Sequence, residues 1–390
     1  MMADSPDAIG GMSLGAEGRM NAGTGRMFSG SYDPSDVLFL LKPVTMSETS
    51  VEEKETLIQR GVRHYSEMIT RESAPSEAYT RLFEAALAEN QDRFAADLVK
   101  LADWMMSTRR GPLTLVSLAR AGTPVGALLK RWIARADRDV VHYSVSLIRD
   151  RGIDANALKY ITRQRPIESI LFVDGWTGKG VMARELRHAI RVWKDSAGAA
   201  LSTCPIDDRL YVVADLCGGA GYAATSDDYL IPSSLLGATV SGLVSRSIRN
   251  SDCVGPDDFD ACVEYPEFRS IDRSRAFLDQ IEQRMCEVSG TCHEEREDRE
   301  FRDMEIQERR QVVLKELMER LEIHNENYIK PGIGEATRVL LRRVPWRLIV
   351  RNSSGRDIQH LLELAESRGV PVEELADLPW QAVSIIRSLE

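Results

Sequence analysis

Short apolar runs alternate with helical patterns over the first half of the chain. Four runs have the length and composition of buried strands: 113–118, 140–148, 169–173 and 210–214. Helical patterns precede them at 50–107, lie between them at 124–134 and 182–193, and follow them at 234–248. Because strands that alternate with helices form mainly parallel sheets, this pattern predicts an α/β domain whose ligands bind at the carboxyl ends of the strands.

A different pattern begins after residue 290. Residues 294–310 contain eight acids and five arginines, and apolar residues continue beyond them at helical spacing, which predicts a solvated spacer helix over 291–328. Residues 329–390 then predict a small α/β domain of their own. Its predicted elements are a helix to Arg343, a strand at Arg347–Val350 and helices at Arg356–Ser367 and Pro379–Leu389.

Composition narrows the class of protein. The 390 residues are 43% hydrophobic and carry a net charge of −10, and no stretch approaches 18 apolar residues. These values predict a cytoplasmic protein without a membrane span and without general attraction to nucleic acid. Residues 1–27 are rich in Gly, Met and Ala, lack the pattern of a secretory signal and are expected to be disordered, so that the α/β domain occupies 28–290. Six cysteines without a CxxC pair predict neither a disulfide framework nor a structural zinc site.

The most informative motif lies at 170–180, where an apolar run ends in Asp174 and continues into a glycine-rich turn. Backbone N–H groups at such a strand-to-helix turn bind phosphate, and glycine allows close approach of the ligand. The predicted phosphate contacts are Thr177, Gly178, Lys179 and Gly180. A Walker A loop is excluded because Val173 and Gly180 stand where it requires glycine and Ser or Thr. A purely structural turn is the alternative.

A second turn of this kind follows the run 113–118. It comprises Ala119, Arg120, Ala121 and Gly122. Two phosphate-type turns on neighbouring strands suit one diphosphorylated ligand such as phosphoribosyl pyrophosphate (PRPP). Arg149 and Arg151 follow the run 140–148, and arginine is suited to bidentate contacts with pyrophosphate, although either residue alone is equally consistent with a solvated turn.

This order of loops resembles that of type I phosphoribosyltransferases. The segments 119–124, 173–180 and 228–233 are more specifically similar to the phosphoribosyltransferase-like family found with tellurium-resistance and stress operons, members of which are also labelled cysteine protease StiP. The resemblance implies a type I phosphoribosyltransferase-like sheet, PRPP with Mg²⁺, and transfer of the sugar to an unidentified nitrogenous acceptor, with a homodimer possible. Asp174 would then hold the ribose hydroxyls, contact the metal and act in catalysis with Arg149 and Arg151. Gly175 departs from the family pattern, which usually has a second acid there.

Two other classes of function stay open. Asp215 and Ser233 are expected at the acceptor edge of the site, but Cys217 lies between them and is the best placed thiol for a cysteine peptidase. A peptidase needs a histidine near that thiol, and neither His142 nor His188 stands in a recognisable signature. A small apolar packing role for Cys217 is favoured. The third class is a non-catalytic sensor of nucleotides or RNA.

The tail has a local basic character. Residues 330–356 contain seven cations against Glu335, and the segments 332–334, 337–338 and 378–380 resemble a Pelota-like RNA-binding domain. That resemblance implies contacts with structured RNA, made mainly to phosphates. The predicted RNA contacts are Lys330, Arg338, Arg342 and Arg343. The alternative is a packing domain decorated with arginine.

Overall fold

The computed structural model describes residues 27–196, 205–289 and 297–388. The N-terminal segment expected to be disordered lies, apart from Met27, outside the described residues. The helices are α1 (Val51–Gln59), α2 (Glu77–Thr108), α3 (Thr123–Arg135), α4 (Ala155–Gln164), α5 (Val181–Ser196), α6 (Ser274–Val288), α7 (Glu297–Arg320), α8 (Ile333–Arg342) and α9 (Gln359–Ser367). Short 3₁₀ helices cover Tyr65–Glu67, Ile167–Ser169, Pro232–Ser234, Ala238–Val240, Pro266–Ile271, Glu326–Tyr328 and Arg356–Ile358.

The strands form a large central sheet, a smaller C-terminal sheet and two short pairs. They are β1 (Leu38–Phe39), β2 (Lys42–Pro43), β3 (Leu113–Leu118), β4 (Val140–Val145), β5 (Leu147–Ile148), β6 (Gly152–Ile153), β7 (Ile170–Thr177), β8 (Leu210–Asp215), β9 (Tyr222–Thr225), β10 (Ala261–Cys262), β11 (Ile329–Pro331), β12 (Pro345–Val350), β13 (Val372–Glu374) and β14 (Ala382–Ile386).

The central sheet is parallel throughout and has the order β1-β4-β3-β7-β8-β9. Successive strand residues point to opposite faces, so Leu115 packs with helices α2, α3 and α6 while Val116 packs with α4 and α5. The predicted mixed α/β class with a mainly parallel sheet is therefore confirmed, and the strand expected at 169–173 continues to Thr177 with all eight residues buried.

The helix predicted at 234–248 is absent. The segment forms the two short 3₁₀ turns Pro232–Ser234 and Ala238–Val240, and Gly242 has a φ of 83°. Glycine and serine favour helices weakly, and a residue with positive φ cannot continue one. The small residues instead allow this segment to lie close to the core.

The C-terminal domain contains a four-stranded sheet of order β11-β14-β12-β13 with helices α8 and α9. The predicted small C-terminal α/β domain is confirmed. The helix predicted at Pro379–Leu389 is wrong, because residues 382–386 form the strand β14, which is fully buried between β11 and β12. A five-residue apolar run does not distinguish a strand from a buried helix turn. The pairing partners decide between them.

Helix α7 is not the solvated spacer that its charge suggests. Leu314 and Leu317 are buried in a cluster that contains Leu216 and Trp380. Arg310 is only 4% exposed and donates hydrogen bonds to the carbonyls of Leu216 (2.9 Å) and Ser226 (2.6 Å). One stripe of the helix therefore packs between the two domains, and over the part whose side chains the structure describes, 305–320, the charged residues other than Arg310 are exposed.

The C-terminal domain packs over the carboxyl end of the central sheet. The buried carboxylate of Asp228 accepts hydrogen bonds from the backbone N–H groups of Ile333 (3.0 Å) and Gln381 (2.8 Å). A Cβ atom on Gly334 would lie 2.5 Å from the Trp176 ring. These contacts hold the first turn of α8 against β7 and the loop after β9.

Within the described residues, no helix is both long and apolar enough to cross a membrane.

Removing the Asp228 carboxylate should destabilise the protein. In Asp228→Ala two buried N–H groups lose their acceptor, and relief of the buried charge offsets only part of that loss, so we expect unfolding free energy to fall by about 1–3 kcal/mol. Urea denaturation of the full chain measures this. The control is Asp227→Ala, which breaks only an exposed ion pair with Arg93 and should cost at most about 1 kcal/mol. Equal losses in both variants would contradict the role assigned to Asp228.

Candidate functional site

The two predicted phosphate-type turns meet at the carboxyl edge of the sheet. They follow the adjacent strands β3 and β7. A Cβ atom on Gly122 would lie 2.9 Å from the Val173 carbonyl oxygen and 3.0 Å from Asp174 Oδ1, so glycine is required where the turns touch. The parallel order of the sheet therefore brings together residues 119–122 and 174–180.

Asp174 lies at the centre of this edge. Its Oδ1 accepts the Gly175 N–H at 2.8 Å, and burial raises the pKa of the carboxyl to about 6 although the positive charge of Arg338 acts in the opposite direction. Magnesium prefers several oxygen ligands. In the described parts of the chain, the only other acid that lines the cavity between the two domains is Glu335, which is paired with Arg338. These residues alone fit a magnesium site poorly, so a Mg²⁺ ion would need a ligand's own phosphate oxygens, and the expectation of Mg²⁺ stays a prediction.

The C-terminal domain contacts the glycine-rich turn directly. Thr177 Oγ1 accepts the Gly180 N–H at 3.1 Å, which closes the turn. A Cβ atom on Gly178 would lie 3.2 Å from the Pro331 carbonyl oxygen, and Lys179 Nζ lies 3.2 Å from the Glu326 carboxylate. Close approach of backbone to backbone at Gly178 therefore serves domain packing, and its role in phosphate binding stays a prediction.

The predicted arginines have different surroundings. Arg120 is buried, donates a hydrogen bond to the Val244 carbonyl (2.8 Å) and forms an ion pair with Glu72. Arg149 lines the cavity between the domains. Arg151 instead pairs with Glu67 at 2.7 Å and does not line that cavity. Of the two arginines in the loop after β5, the structure thus brings Arg149 to the site but not Arg151.

Of the two residues expected at the acceptor edge, Asp215 is used within the fold and Ser233 lines a cavity. The Asp215 carboxylate accepts hydrogen bonds from the four successive backbone N–H groups of residues 217–220, at 2.7–3.2 Å. It therefore holds the loop after β8 in place. Ser233 lines an adjoining cavity, and its buried hydroxyl has no hydrogen-bond partner in the described parts of the chain.

The four predicted RNA contacts face the central domain instead of forming an open basic face. Lys330, Arg338, Arg342 and Arg343 all line the cavity between the domains. Arg343 donates two hydrogen bonds to the Glu55 carboxylate (2.6 and 2.8 Å), and Arg338 lies 4.5 Å above the Trp176 ring. Their inward placement follows from the docking of α8, which sequence patterns do not reveal.

Sequence analysis missed several residues that line this cavity, among them three whose side chains can donate hydrogen bonds. Lys54, Tyr65 and Arg246 reach it from segments distant in sequence. Arg246 donates hydrogen bonds to three backbone carbonyls and lies over the Tyr65 ring. Lys54 and Tyr65 lie in none of the motifs singled out in the sequence, and Arg246 lies in the segment 234–248, for which only a helix was predicted.

The thiols differ in accessibility. Cys217 is 4% exposed, and burial raises the pKa of its thiol to about 12 although the charges of Arg310 and Lys179 favour the thiolate. Burial also raises the pKa of Cys253 and of Cys262, whereas Cys286 is exposed on α6. The described residues form no hydrogen bond between a cysteine sulfur and a histidine. His142 is buried and bonds to Ser117 Oγ at 2.7 Å.

Comparison with known proteins defines the class of this two-domain chain. Residues 30–282 match the family model described as tellurite-like stress resistance cysteine protease StiP, and residues 308–388 match the PELOTA RNA binding domain. The chain is 38% identical over 372 residues to the cysteine protease StiP of Acinetobacter baylyi, which covers 93% of this chain and 95% of that protein. The chain belongs to the StiP family and carries a C-terminal PELOTA domain.

Solved structures add little. The hypoxanthine phosphoribosyltransferase of Trypanosoma cruzi is 16% identical with a TM-score of 0.25, covering 35% of this chain and 77% of that one. A mutant of that enzyme in complex with IMP is 14% identical with a TM-score of 0.26, covering 46% of this chain and 90% of that one. Likeness at this level carries no argument about function.

The predicted phosphoribosyltransferase function is wrong. The family model and the curated relative are both described as cysteine proteases, which agrees with the peptidase alternative. The prediction failed because a glycine-rich strand-to-helix turn is not specific to one chemistry, and here the turn supports the second domain. The Pelota-like domain is confirmed, although its match begins at residue 308, inside the predicted spacer. PRPP as a ligand stays a prediction.

The raised pKa of Asp174 predicts a pH-dependent effect of Asp174→Asn. The folded state binds the carboxyl proton more tightly than the unfolded chain, so wild-type stability falls as the pH rises from about 4 to about 6. Asparagine has no such proton, so the variant should gain about 1–3 kcal/mol over wild type at pH 7.5 and progressively less below pH 5. Denaturant unfolding of both proteins at pH 5 and at pH 7.5 measures this difference in stability.

The matched control is Asp150→Asn. Asp150 is exposed and has a φ of 65°, which asparagine tolerates. Because this carboxylate is exposed, Asp150→Asn removes no buried charge and should not give the gain at pH 7.5 that is expected for Asp174→Asn. A gain for Asp174→Asn that is the same at pH 5 and pH 7.5 would show that the buried charge is not its cause.

Proposed function

We propose that this chain is a cysteine peptidase, as its curated relative is named, and that Cys217 is its nucleophile. The observation that carries the assignment is position. Cys217 follows β8 at the carboxyl edge of the central sheet, in the loop whose Gly219 packs against Gly180 of the glycine-rich turn. This is the edge at which parallel α/β sheets place their ligands.

The other described cysteines are less suitable. Cys262 is buried in the short strand β10, and the Cys253 sulfur donates a hydrogen bond to the Asn250 carbonyl on a peripheral loop. Cys286 lies on α6, which packs against α2 on one face of the sheet, away from its carboxyl edge. Cys204 and Cys292 lie outside the described residues.

The chemistry requires the thiolate of Cys217 to attack a peptide carbonyl. A bond forms between sulfur and the carbonyl carbon, the amine leaves with a proton, and water hydrolyses the resulting thioester. Lys179 is the candidate for the group that promotes ionisation. Its charge favours the Cys217 thiolate, and burial lowers the pKa of its own ammonium group, although Glu326 partly opposes that shift.

The form described here is a resting form. The thiol is buried beneath Trp380 and α7, whose Gln311 donates a hydrogen bond to the Cys217 carbonyl at 3.3 Å. A thiol with a pKa of about 12 is protonated at neutral pH and is a poor nucleophile. The proposal therefore includes a step in which binding of an unfolded substrate moves α7 and exposes the thiol.

Two finer interpretations are proposed alongside it. The central domain has a type I phosphoribosyltransferase-like arrangement; support comes from the touching loops after β3 and β7, and it concerns topology alone. The PELOTA domain binds structured RNA; support comes from the family match. Since four of its cations face inward, such binding would use exposed ones such as Arg356, whose side chain is 86% exposed.

Cys217→Ala should abolish peptidase activity. We expect cleavage of an unfolded protein substrate such as denatured casein to fall by about a thousandfold or more, because no other group replaces the nucleophile. The matched control, Cys286→Ala, removes an exposed thiol and should keep wild-type activity. Mass mapping of iodoacetamide adducts on the resting protein should find Cys286 labelled well before Cys217.

Three results would count against this assignment. Full activity in Cys217→Ala would move the nucleophile to another residue. Rapid labelling of Cys217 would contradict the resting form. Absence of cleavage by wild type with several unfolded substrates would remove the peptidase proposal.

A further inference from the structure

The cavity between the two domains carries a large excess of positive charge. It has a volume of about 310 Å³ and is lined by both domains. Eight of its lining residues are lysine or arginine, whereas Asp174 and Glu335 are its only acids within the described chain. Charge of one sign at this density in a partly buried space is unfavourable without counter-charge.

Half of these cations already have an acidic partner. Arg343 pairs with Glu55, Lys179 with Glu326, Arg338 with Glu335 and Arg149 with Asp150. These pairs hold part of the cavity wall in place. They leave four cations whose charge the described protein does not neutralise by an ion pair.

The four remaining cations come from both domains. Lys54 donates a hydrogen bond to Thr70 Oγ1, and Arg246 donates only to backbone carbonyls. Lys330 and Arg342 have neither a hydrogen bond from their side chains nor an ion pair within the described residues. Burial lowers the pKa of Lys54 and Lys330 to about 8 and that of Arg246 and Arg342 to about 10. Neighbouring cations lower each pKa further, while Glu335 opposes the shift at Lys330 and Glu72 opposes it at Arg246 and Arg342. An anion would relieve the repulsion among them.

The charge pattern and the space available define the class of ligand. Arg246 and Arg342 also line two adjoining cavities of about 440 and 220 Å³, so the positive surface is longer than one phosphate group. Guanidinium groups match phosphate oxygens in a two-pronged geometry. A cavity of about 310 Å³ admits a small molecule but not a folded RNA.

We propose that this cavity binds a small anion with two or more linked phosphate groups, and that the anion bridges the central domain and the C-terminal domain. Lys54 and Arg246 bind it from the central domain, and Lys330 and Arg342 bind it from the C-terminal domain. Cys217 does not line this cavity, although Lys179 does, and Lys179 is already paired with Glu326. Its occupation would strengthen the contact between the domains.

The test is isothermal titration of the full chain with inorganic pyrophosphate, inorganic phosphate and a folded RNA hairpin at one ionic strength. We expect pyrophosphate to bind more tightly than phosphate. Arg342→Gln and Lys54→Gln, one from each domain, should each weaken pyrophosphate binding by about ten- to a hundredfold, the effect of losing a hydrogen bond to a charged group. Arg356→Gln, an exposed cation of the C-terminal domain, should leave it unchanged.

The thermal unfolding temperature of each variant without ligand distinguishes loss of binding from loss of folding. Arg342→Gln should unfold at or above the wild-type temperature, because it removes an unpaired cation from a positive cluster. Cys217→Ala should bind pyrophosphate as wild type does, so failure of the peptidase proposal does not affect this one. The proposal is overturned if wild type fails to bind millimolar pyrophosphate, or if either cavity variant folds but binds pyrophosphate normally. RNA that binds without competition from pyrophosphate would lie on exposed cations outside the cavity, whereas RNA binding that Arg342→Gln weakens while pyrophosphate does not bind would assign the cavity to RNA and overturn the proposal.

Discussion

The packing of the C-terminal domain against the carboxyl edge of the central sheet determines most of what this protein can do. That edge is where a parallel sheet exposes its loops and the backbone groups that bind ligands. Here the edge is largely covered. Asp228 binds the first turn of α8 through backbone hydrogen bonds, Gly334 accommodates the Trp176 ring, and Gly178 lies beneath Pro331.

This packing explains why the site consists of partly buried charged groups. Lys330, Arg338 and Arg342 would be ordinary solvated cations on an isolated C-terminal domain. Docking turns them toward the cations of the central domain and removes water from around them. Burial lowers the pKa of Lys330 and Arg342, and an anion becomes a favourable partner. The same docking buries Cys217 beneath α7 and Trp380, so the thiol and the cationic cavity both depend on one interdomain contact.

Domain movement is therefore the property that connects the two proposals. An anion between the domains would hold them together, while exposure of Cys217 requires α7 to move away from the loop after β8. The stability of the docked form and access to the thiol are then opposed. In the proposed peptidase the second domain would control access to the thiol, because Arg310 and Gln311 of α7 donate hydrogen bonds to the backbone carbonyls of Leu216, Ser226 and Cys217.

The sequence by itself determined the α/β class, the four main strands, the two adjacent glycine-containing turns and the presence of a second domain. Those features depend on local periodicity and on the requirement for glycine where chains touch. Only the tertiary structure decided that residues 382–386 form a central strand, that α7 packs instead of extending into solvent, and that Arg342 faces inward. Each depends on which surfaces meet, since the same apolar run, charged helix or arginine suits either environment until its partner in space is known.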